Sequence, residues 1–442
     1  MRQNISELNH EDLIACHERA KQRYQAFQKR DLKLNMARGK PSPEQLDLVA
    51  DLLALPVNKD YLAADGTDCR NYAPVEGLQG LPEARALFSQ MLGVKPDRIV
   101  IAGNSSLALM HDIIVYSLLK GTCDSSTPWS KEQSIKFICP VPGYDRHFFI
   151  CQEFDIEMIS VPLGAAGPDM DQVETLVAKD PGIIGMWCVP KYSNPTGTIY
   201  SDEVIGRLAA MNTAAPDFRL IWDNAYAVHH LTSERAEIAN IVEACARHGH
   251  TNRPLVFSST SKITLAGAGL AMFASSPDNV KWLLARMDKR TIGPDKINQL
   301  RHVRFLRDEA GIVALMDRHR QIVAPKFAKV IEVFKEALDG YGVATWQQPK
   351  GGYFISLDVL PGCARRVVDL AKKAGIVLTP AGATYPYGRD PQDRNIRIAP
   401  TYPSLSEINQ AAEGATLCIL LATTEALLAH MGKPSSLNQE MA

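Results

Sequence analysis

The sequence has little net charge, no closely spaced cysteines and no long apolar runs. Its 48 Lys and Arg nearly balance its 49 Asp and Glu, and the formal net charge of -1 argues against a polyanionic partner such as nucleic acid. Its 9 cysteines form no CxxC pair and no cluster with histidine at metal-ligand spacing, so we expect reduced, mostly structural thiols. No apolar run approaches the roughly 20 residues that span a bilayer, and residues 1–30 are polar without a signal-peptide segment. We therefore expect a cytoplasmic protein with neither a nucleic-acid partner nor a membrane.

Short apolar strands alternate with helices from residue 98 onward. This pattern is typical of an α/β fold with a mostly parallel, doubly wound sheet covered by helices on both faces. After Pro294 the pattern shifts to long helices with few strands, which predicts a smaller α+β domain. We place the large domain at 45–295 and the small domain at 1–44 and 296–442, with a frayed tail after Gly432. The predicted strands are 98–102, 135–139, 156–161, 183–189, 219–222, 255–257, 270–274, 352–358 and 395–399, and the predicted helices are 6–29, 44–55, 83–92, 107–119, 297–338 with a break near Pro325, 364–374 and 404–430.

One lysine follows a predicted strand and a cluster of hydroxyl side chains. Residues 255–257 are apolar, residues 258–261 are Ser, Ser, Thr and Ser, and Lys262 comes next. Ligands of doubly wound sheets bind outside the C-terminal ends of the strands, so Lys262 is expected at the rim of a cleft, where a lysine can form a Schiff base. A solvated loop lysine is the alternative.

Other strand ends carry polar residues as well. Asp223 follows the strand 219–222, and Asn194 lies in a turn after the strand 183–189. Ser105 and Ser106 start the helix that follows the first strand, where hydroxyls and free N–H groups can bind phosphate. Plain helix N-caps remain the alternative for Asp223 and for the serines.

The order of these motifs resembles the fold type I pyridoxal-phosphate-dependent aminotransferases, and the resemblance covers nearly the whole chain. Residues 35–47 and 290–302 further resemble the subgroup Ic aspartate aminotransferases. The motifs that carry the resemblance are Ser193-Asn194-Pro195-Thr196-Gly197, Asp223-x-x-Tyr226, Ser259-x-Ser261-Lys262, Pro349-x-Gly351-Gly352-x-Phe354 and Asn395-x-Arg397-Ile398.

The resemblance implies that the cofactor is pyridoxal 5'-phosphate, an electron sink that the protein must attach and orient. Lys262 would form the Schiff base and then act as general acid and base at the substrate. Asp223 would pair with the pyridinium N–H, while Tyr226 and Asn194 would hydrogen-bond the ring O3'. Tyr144 resembles the aromatic residue that stacks on the ring, with a core tyrosine as the alternative.

The resemblance also implies a homodimer, in which Tyr72 reaches the cofactor phosphate of the partner subunit. Many family members carry an arginine shortly after the lysine, whereas this chain has Gly267-Ala-Gly-Leu270. Hydroxyls, helix N-termini and Lys296 from the neighbouring subunit are therefore candidates for meeting the phosphate charge. The phosphate residues implied are Ser105, Ser106, Ser259, Ser261 and Tyr72.

For the substrate, Arg397 resembles the arginine that clamps the α-carboxylate, a task suited to a planar guanidinium fork. Gly39, Asn194 and Arg38 are further candidates for substrate binding. The cation that meets the side-chain carboxylate of a dicarboxylic substrate could be any of Arg38, Lys40, Arg290 and Lys296.

The predicted reaction is ping-pong transamination between L-aspartate and 2-oxoglutarate. The enzyme alternatives are transamination of an aromatic amino acid or 2-aminoadipate, or a pyridoxal-phosphate-dependent lyase, because a fold does not determine a function. The non-enzyme alternative is the effector domain of a transcriptional regulator. A regulator needs a winged helix-turn-helix, but the residues before Asn35 predict one helix only.

Overall fold

A computed structural model of the chain describes residues 3–72, 75–132 and 134–431. The chain divides into two compact units. The large unit comprises residues 40–322 and 349–352, and the described part of the small unit comprises 3–39, 323–348 and 353–431. Residues 40–44, 296–322 and 349–352 were predicted in the small domain, but they belong to the large unit. The predicted tail after Gly432 lies outside the described residues.

The helices of the described chain open, in most cases, at a capping side chain. Ser105, Asp169, Ser201, Ser276 and Asp295 each accept a hydrogen bond from a backbone N–H in the first turn of their helix, which satisfies one of its unpaired donors. The α-helices are α1 (His10–Gln28), α2 (Pro43–Asp47), α3 (Pro82–Leu92), α4 (Ser106–Lys120), α5 (Asp145–Glu153), α6 (Met170–Lys179), α7 (Asp202–Ala210), α8 (Ile241–Arg247), α9 (Pro277–Met287), α10 (Lys296–Leu306), α11 (Glu309–Leu338), α12 (Ala364–Lys373) and α13 (Leu405–Met431), and short 3-10 helices cover Ile5–Glu7, Ala50–Ala54, Val75–Gln79, Pro96–Arg98, Trp129–Lys131 and Pro386–Gly388.

The strands form one large sheet in the large unit and two smaller sheets in the small unit. In chain order they are β1 (Leu34–Asn35), β2 (Ile99–Ile101), β3 (Lys136–Val141), β4 (Glu157–Gly164), β5 (Gly167–Pro168), β6 (Ile183–Cys188), β7 (Arg219–Asp223), β8 (Pro254–Ser259), β9 (Ala271–Ala274), β10 (Ala344–Trp346), β11 (Ile355–Val359), β12 (Ile376–Val377) and β13 (Asn395–Ile398).

The large sheet has eight strands in the order β2-β9-β8-β7-β6-β3-β4-β5. The pairs β8-β7, β7-β6, β6-β3 and β3-β4 are parallel, while β9 runs antiparallel to both of its neighbours and β5 is antiparallel to β4. Strands β6, β7 and β8 are buried along their whole length, as expected for strands covered on both faces. The predicted α/β class with a mostly parallel sheet is confirmed.

The small unit combines a three-stranded antiparallel sheet with long helices. Its sheet order is β10-β11-β13, β1 pairs in parallel with β12, and α13 packs on α1 and α12. By length and composition, α13 is one helix of the described chain that could cross a membrane, and 61% of its most apolar window is buried inside the protein. The sequence analysis was wrong that no segment approaches this length, and the burial of α13 fits a core helix.

Two helix predictions differ from the structure because packing overrides local propensity. The predicted helix 44–55 is the short α2 followed by the 3-10 helix Ala50–Ala54. The N-cap Val49 and Leu52 are both buried, and their separation of three residues matches the period of a 3-10 helix. The helix break predicted near Pro325 is absent, because α11 continues through this residue. Val323 and Phe327, on either side of Pro325, are both buried, and this packing outweighs the unfavourable helix propensity of proline. The break lies at Arg307, where φ is 65°.

The wrong domain boundary has a physical reason too. Helix α10 packs on α3 and on the 3-10 helix Ala50–Ala54, so it is part of the large unit. Its periodic sequence pattern nevertheless continues into α11, which made the two helices look like one region. The boundary at Ile322 falls inside α11. A shift in sequence pattern therefore marked the end of the strand-helix alternation but not the end of the unit.

Two glycines that flank α12 give a test of local packing in the small unit. Gly375 (φ 79°) and Gly362 (φ 81°) both adopt left-handed backbone. A Cβ on Gly375 would overlap the backbone carbonyl of Leu32, whereas a Cβ on Gly362 would meet nothing within 4 Å. We expect Gly362→Ala to cost about 1 kcal/mol, from the left-handed conformation alone, and Gly375→Ala to cost about 3 kcal/mol or more. Thermal unfolding of the two variants measures the difference, and equal midpoints would contradict the packing at Leu32.

Candidate active site

The residues predicted to bind cofactor in the large unit lie on strand ends and on the loops that follow them. Strands β3, β6, β7 and β8 are parallel, so their C-terminal ends share one edge of the sheet. The antiparallel β9 lies between β8 and β2, which makes β2 parallel to β8 and brings its C-terminal end to the same edge. This edge carries Ser105, Ser106, Tyr144, Asn194, Asp223, Tyr226, Ser259, Ser261 and Lys262.

Asp223 is a buried carboxylate at the end of β7, and it is only 3% exposed. Its Oδ2 accepts a hydrogen bond of 3.1 Å from His147 Nε2, and the His147 ring stacks on Trp187 at 4.2 Å with an interplanar angle of 9°. Among the described residues, no group hydrogen-bonds the buried Oδ1. A buried carboxylate oxygen without a donor costs free energy, so Oδ1 is suited to a donor from a bound molecule.

Lys262 follows β8 by three residues, and its Nζ lies 5.1 Å from the centre of the Tyr226 ring. Burial lowers the pKa of Lys262 below its ordinary value because it disfavours the ammonium form, and the Asp223 carboxylate acts in the opposite direction. A lysine amine with a lowered pKa can act as a nucleophile and as a base. This environment differs from that of a solvated loop lysine.

The hydroxyl cluster joins the end of β8 to the start of α4. Ser259 Oγ donates to Ser261 Oγ at 3.1 Å, and Ser261 Oγ donates to the backbone carbonyl of Asn104 at 3.4 Å. Ser105 is the N-cap of α4, where its side chain accepts from the N–H of Ala108, and Ser106 is the first helical residue. The capping role left open by the sequence is therefore present, and hydroxyls and the helix N-terminus lie together as an anion site requires.

The remaining predicted residues of the large unit have different environments. Tyr144 is partly exposed and packs edge-on against His147 with ring centres 4.9 Å apart, so it is not a fully buried core tyrosine. Asn194 is buried in the loop after β6. Tyr72 is 75% exposed, and Lys296 Nζ donates to the Asn71 carbonyl beside it at 2.7 Å.

Four basic residues were candidates for the side-chain carboxylate of a substrate. In the large unit, Arg290 forms an ion pair with Asp112 (Nε–Oδ2 3.2 Å), and the Lys296 amine donates a hydrogen bond to the Asn71 carbonyl. Lys40, also in the large unit, is exposed, and so is Arg38 in the small unit. These environments do not select one of the four.

Arg397 lies on β13 of the small unit, opposite Ser356 on β11. It is 7% exposed; its guanidinium lies 4.9 Å from the centre of the Phe354 ring, and its Nε donates to Thr379 Oγ1 at 3.4 Å. Gly39 lies against the same ring, since a Cβ there would come within 2.5 Å of Phe354 Cζ. These contacts hold the guanidinium plane within the small unit.

Comparison with known proteins agrees with this geometry. The sequence model of the family described as Aspartate amino-transferase matches residues 8–431. The chain belongs to this family. It is therefore an aminotransferase, an enzyme that acts on an amino acid and a 2-oxo acid.

A sequence and a crystal structure from Corynebacterium glutamicum and a structure from Thermus thermophilus illustrate the match. The chain is 50% identical over 422 residues to an aspartate aminotransferase of C. glutamicum, covering 96% of this chain and 97% of that protein. The crystal structure of an aspartate transaminase from C. glutamicum superposes with a TM-score of 0.94 at 49% identity, covering 97% of this chain and 100% of that one. An α-aminoadipate aminotransferase from T. thermophilus, complexed with N-(5'-phosphopyridoxyl)-L-leucine, shares the fold with a TM-score of 0.71 at 19% identity, covering 92% and 98%.

Sequence analysis missed His147, the residue that contacts Asp223. The sequence signal was modest: His147 comes three residues after Tyr144, in the first turn of a helix that follows a buried strand. Its partner lies 76 residues further along the chain, so their contact depends on the sheet order.

The pair of His147 and Asp223 makes a thermodynamic prediction for the cofactor-free protein. His147→Phe keeps an aromatic ring on Trp187 but leaves the second oxygen of Asp223 buried without a donor, so we expect a loss of about 2–4 kcal/mol of stability. The same change in an Asp223→Asn background removes no partner from a buried charge and should cost about 1–3 kcal/mol less. Urea unfolding of the four proteins measures this coupling, and identical costs in both backgrounds would show that the pair does not interact.

Proposed function

We propose that this aminotransferase uses pyridoxal 5'-phosphate and transfers the amino group of L-aspartate to 2-oxoglutarate in a ping-pong reaction. The observation that carries the cofactor proposal is Asp223, buried with Oδ2 on His147 and with Oδ1 lacking a donor among the described residues. The preference for aspartate is supported by the C. glutamicum relative at 50% identity.

The residues at the edge of the large sheet fit the cofactor by their chemistry. Asp223 would accept the N–H of the pyridine ring through Oδ1 and so favour its protonated form. Tyr226 and Asn194 would donate hydrogen bonds to the ring O3', and Tyr144 would stack on the ring. The phosphate would be held by Ser105, Ser106, Ser259 and Ser261, where the helix N-terminus of α4 adds its partial positive charge.

Lys262 performs two tasks in this proposal. It would hold the cofactor covalently, and after the substrate has displaced it, its neutral amine would move the proton at the substrate Cα. Because its pKa is lowered, a larger fraction of the Lys262 amine is neutral near pH 7 than in an exposed lysine. When bound, pyridoxal phosphate supplies the electron sink that makes this proton removable.

We further propose that Arg397 binds the substrate α-carboxylate through its guanidinium fork. The contacts with Phe354 and Thr379 restrict the side chain, which lowers the entropy lost on binding. Arg38, Gly39 and Asn194 remain predicted substrate contacts. The homodimer, the phosphate role of Tyr72 and the cytoplasmic location also stay predictions; the exposed Tyr72 and Ile292 line one cavity of about 480 Å³ that a second subunit could cover.

Absorbance spectroscopy tests the proposed reaction. We expect the purified protein with pyridoxal phosphate to show a yellow band, which L-aspartate alone converts to the spectrum of pyridoxamine phosphate, because the first half of a ping-pong reaction needs no 2-oxo acid. Lys262→Ala is the matched control and should lack the band of covalent attachment.

Other outcomes of this experiment separate the alternatives. A band that ignores aspartate but responds to 2-aminoadipate or an aromatic amino acid would change the substrate and keep the cofactor. A wild-type protein without a band, even after pyridoxal phosphate is added, would contradict the proposal.

Arg397→Ala tests the carboxylate site. Loss of a charge-assisted, bidentate contact is expected to raise KM for both aspartate and 2-oxoglutarate and to lower kcat/KM by about 100-fold. Arg365→Ala is a suitable control because its side chain is 65% exposed and pairs only loosely with Asp393 at 3.6 Å. Unchanged kcat/KM in Arg397→Ala would place the carboxylate site elsewhere.

A further inference from the structure

Two buried imidazoles contact the backbone at Lys262. The segment 260–264 forms a turn, in which the N–H groups of Ile263 and Thr264 both donate to the Thr260 carbonyl. The carbonyls of Lys262 and Ile263 meet histidines: His229 Nε2 lies 3.3 Å from the Lys262 oxygen, and His319 Nε2 lies 2.9 Å from the Ile263 oxygen. Both histidines are nearly inaccessible to solvent.

The contact of His319 belongs to a longer chain of hydrogen bonds. Gln45, a buried residue of α2, accepts the backbone N–H of Ser42 on Oε1 at 3.1 Å. Its Nε2 lies 2.9 Å from His319 Nδ1, and His319 in turn reaches Ile263. The relay therefore joins the start of α2 and the helix α11 to the residue that follows Lys262.

The two ends of this relay determine its direction. The Ser42 N–H can only donate and the Ile263 carbonyl can only accept, so Gln45 must donate to Nδ1 and His319 must donate from Nε2. His319 is thus neutral with its proton on Nε2. Burial lowers the pKa of His319 to about 4, which keeps this arrangement intact at neutral pH.

We infer that Gln45 and His319 are positioning residues for Lys262: they fix the backbone of the turn that carries the lysine and thereby hold its amine at the cofactor. This inference rests on the proposed function, in which Lys262 attaches the cofactor and moves the proton at Cα. A lysine amine ends a flexible four-carbon stem, so its placement depends on a fixed backbone, and a shift of about 1 Å can lower a rate about 100-fold.

The surroundings of the amine predict how a loosened turn would behave. Among the described residues, the titratable side chains Asp223, Tyr226 and His229 lie near Lys262. Burial outweighs the Asp223 carboxylate in setting the lowered pKa of Lys262. A mobile turn would let the amine reach water and become easier to protonate. The pH at which half of Lys262 is neutral would then rise.

The rate of cofactor attachment reports this pH without measuring turnover. In attachment, the neutral amine of Lys262 attacks the aldehyde carbon of pyridoxal phosphate, a C=N bond forms and one water leaves. Apo-protein is mixed with pyridoxal phosphate at a series of pH values, and the growth of the yellow band gives the rate. The variants are His319→Leu, which removes the relay, His319→Gln, whose amide offers a donor and an acceptor in similar places, and Gln45→Met. The control is His250→Leu, an imidazole that bonds to the Ala209 carbonyl away from Lys262.

We expect the pH midpoint of attachment to rise by about 0.5 unit or more in His319→Leu and to rise in the same direction in Gln45→Met. It should return close to the wild-type value in His319→Gln and stay unchanged in His250→Leu. With saturating substrates, kcat of His319→Leu should fall about 10- to 100-fold while KM changes less than threefold, because substrate contacts are untouched. If His319→Leu does not fold, Gln45→Met carries the test.

Unshifted midpoints in the folded His319 and Gln45 variants would overturn the positioning role while leaving the proposed function in place. An equal shift in His250→Leu would also overturn it, because the effect would then be general. A wild-type protein that forms no yellow band would instead overturn the proposed function itself.

Discussion

The site depends on one constraint: a carboxylate is buried at the end of the central strand β7 and must be matched by donors. Asp223 meets this requirement on one side through His147, which is itself held by stacking on Trp187 of β6. Taking a carboxylate out of water is expensive unless hydrogen bonds replace the solvent. Strand β7, helix α5 and the Trp187 ring must therefore be positioned so that His147 can donate to Asp223. The same burial leaves its other oxygen available to a cationic ligand group, which is why a structural cost and a proposed chemical role coincide in one side chain.

Lys262 and Asp223 illustrate how a parallel sheet assembles chemistry from distant segments. The strands that carry them, β8 and β7, are neighbours, with Phe257 opposite Asp223 in the register. Asp223 is the last residue of β7 and Lys262 lies three residues beyond the end of β8, so both reactive groups lie at the C-terminal edge of the sheet. Burial lowers the pKa of Lys262, while the Asp223 carboxylate opposes the shift. The pKa of the amine therefore depends on both its burial and the nearby carboxylate.

The sequence was sufficient for the features that are local or that form a family motif. The apolar strands of the sheet are visible as short β-branched and aromatic runs, and Asp223 ends one of them while Lys262 lies three residues after another. Contacts between distant residues were not predictable: His147 meets Asp223 across 76 residues, and Gln45 meets His319 across 274. Pro325 was read as a helix break because its propensity is unfavourable, but burial on both sides outweighs that preference. Pairings of this kind follow from the three-dimensional arrangement of elements, on which a local pattern carries no information.

The antiparallel strand β9 has a consequence for how the protein reaches its native state. Because β9 pairs with β8 through Ser259 and Ala271, the segment 260–270 with Lys262 is closed by a local contact, which costs little chain entropy. Asp223 comes beside the lysine turn through the pairing of β7 with β8. These two strands are further apart in the sequence than β8 and β9, and we expect their pairing to form more slowly. The lysine turn is therefore closed by a contact between residues close in sequence, whereas the Asp223 side of the site forms only when strands from more distant segments pair.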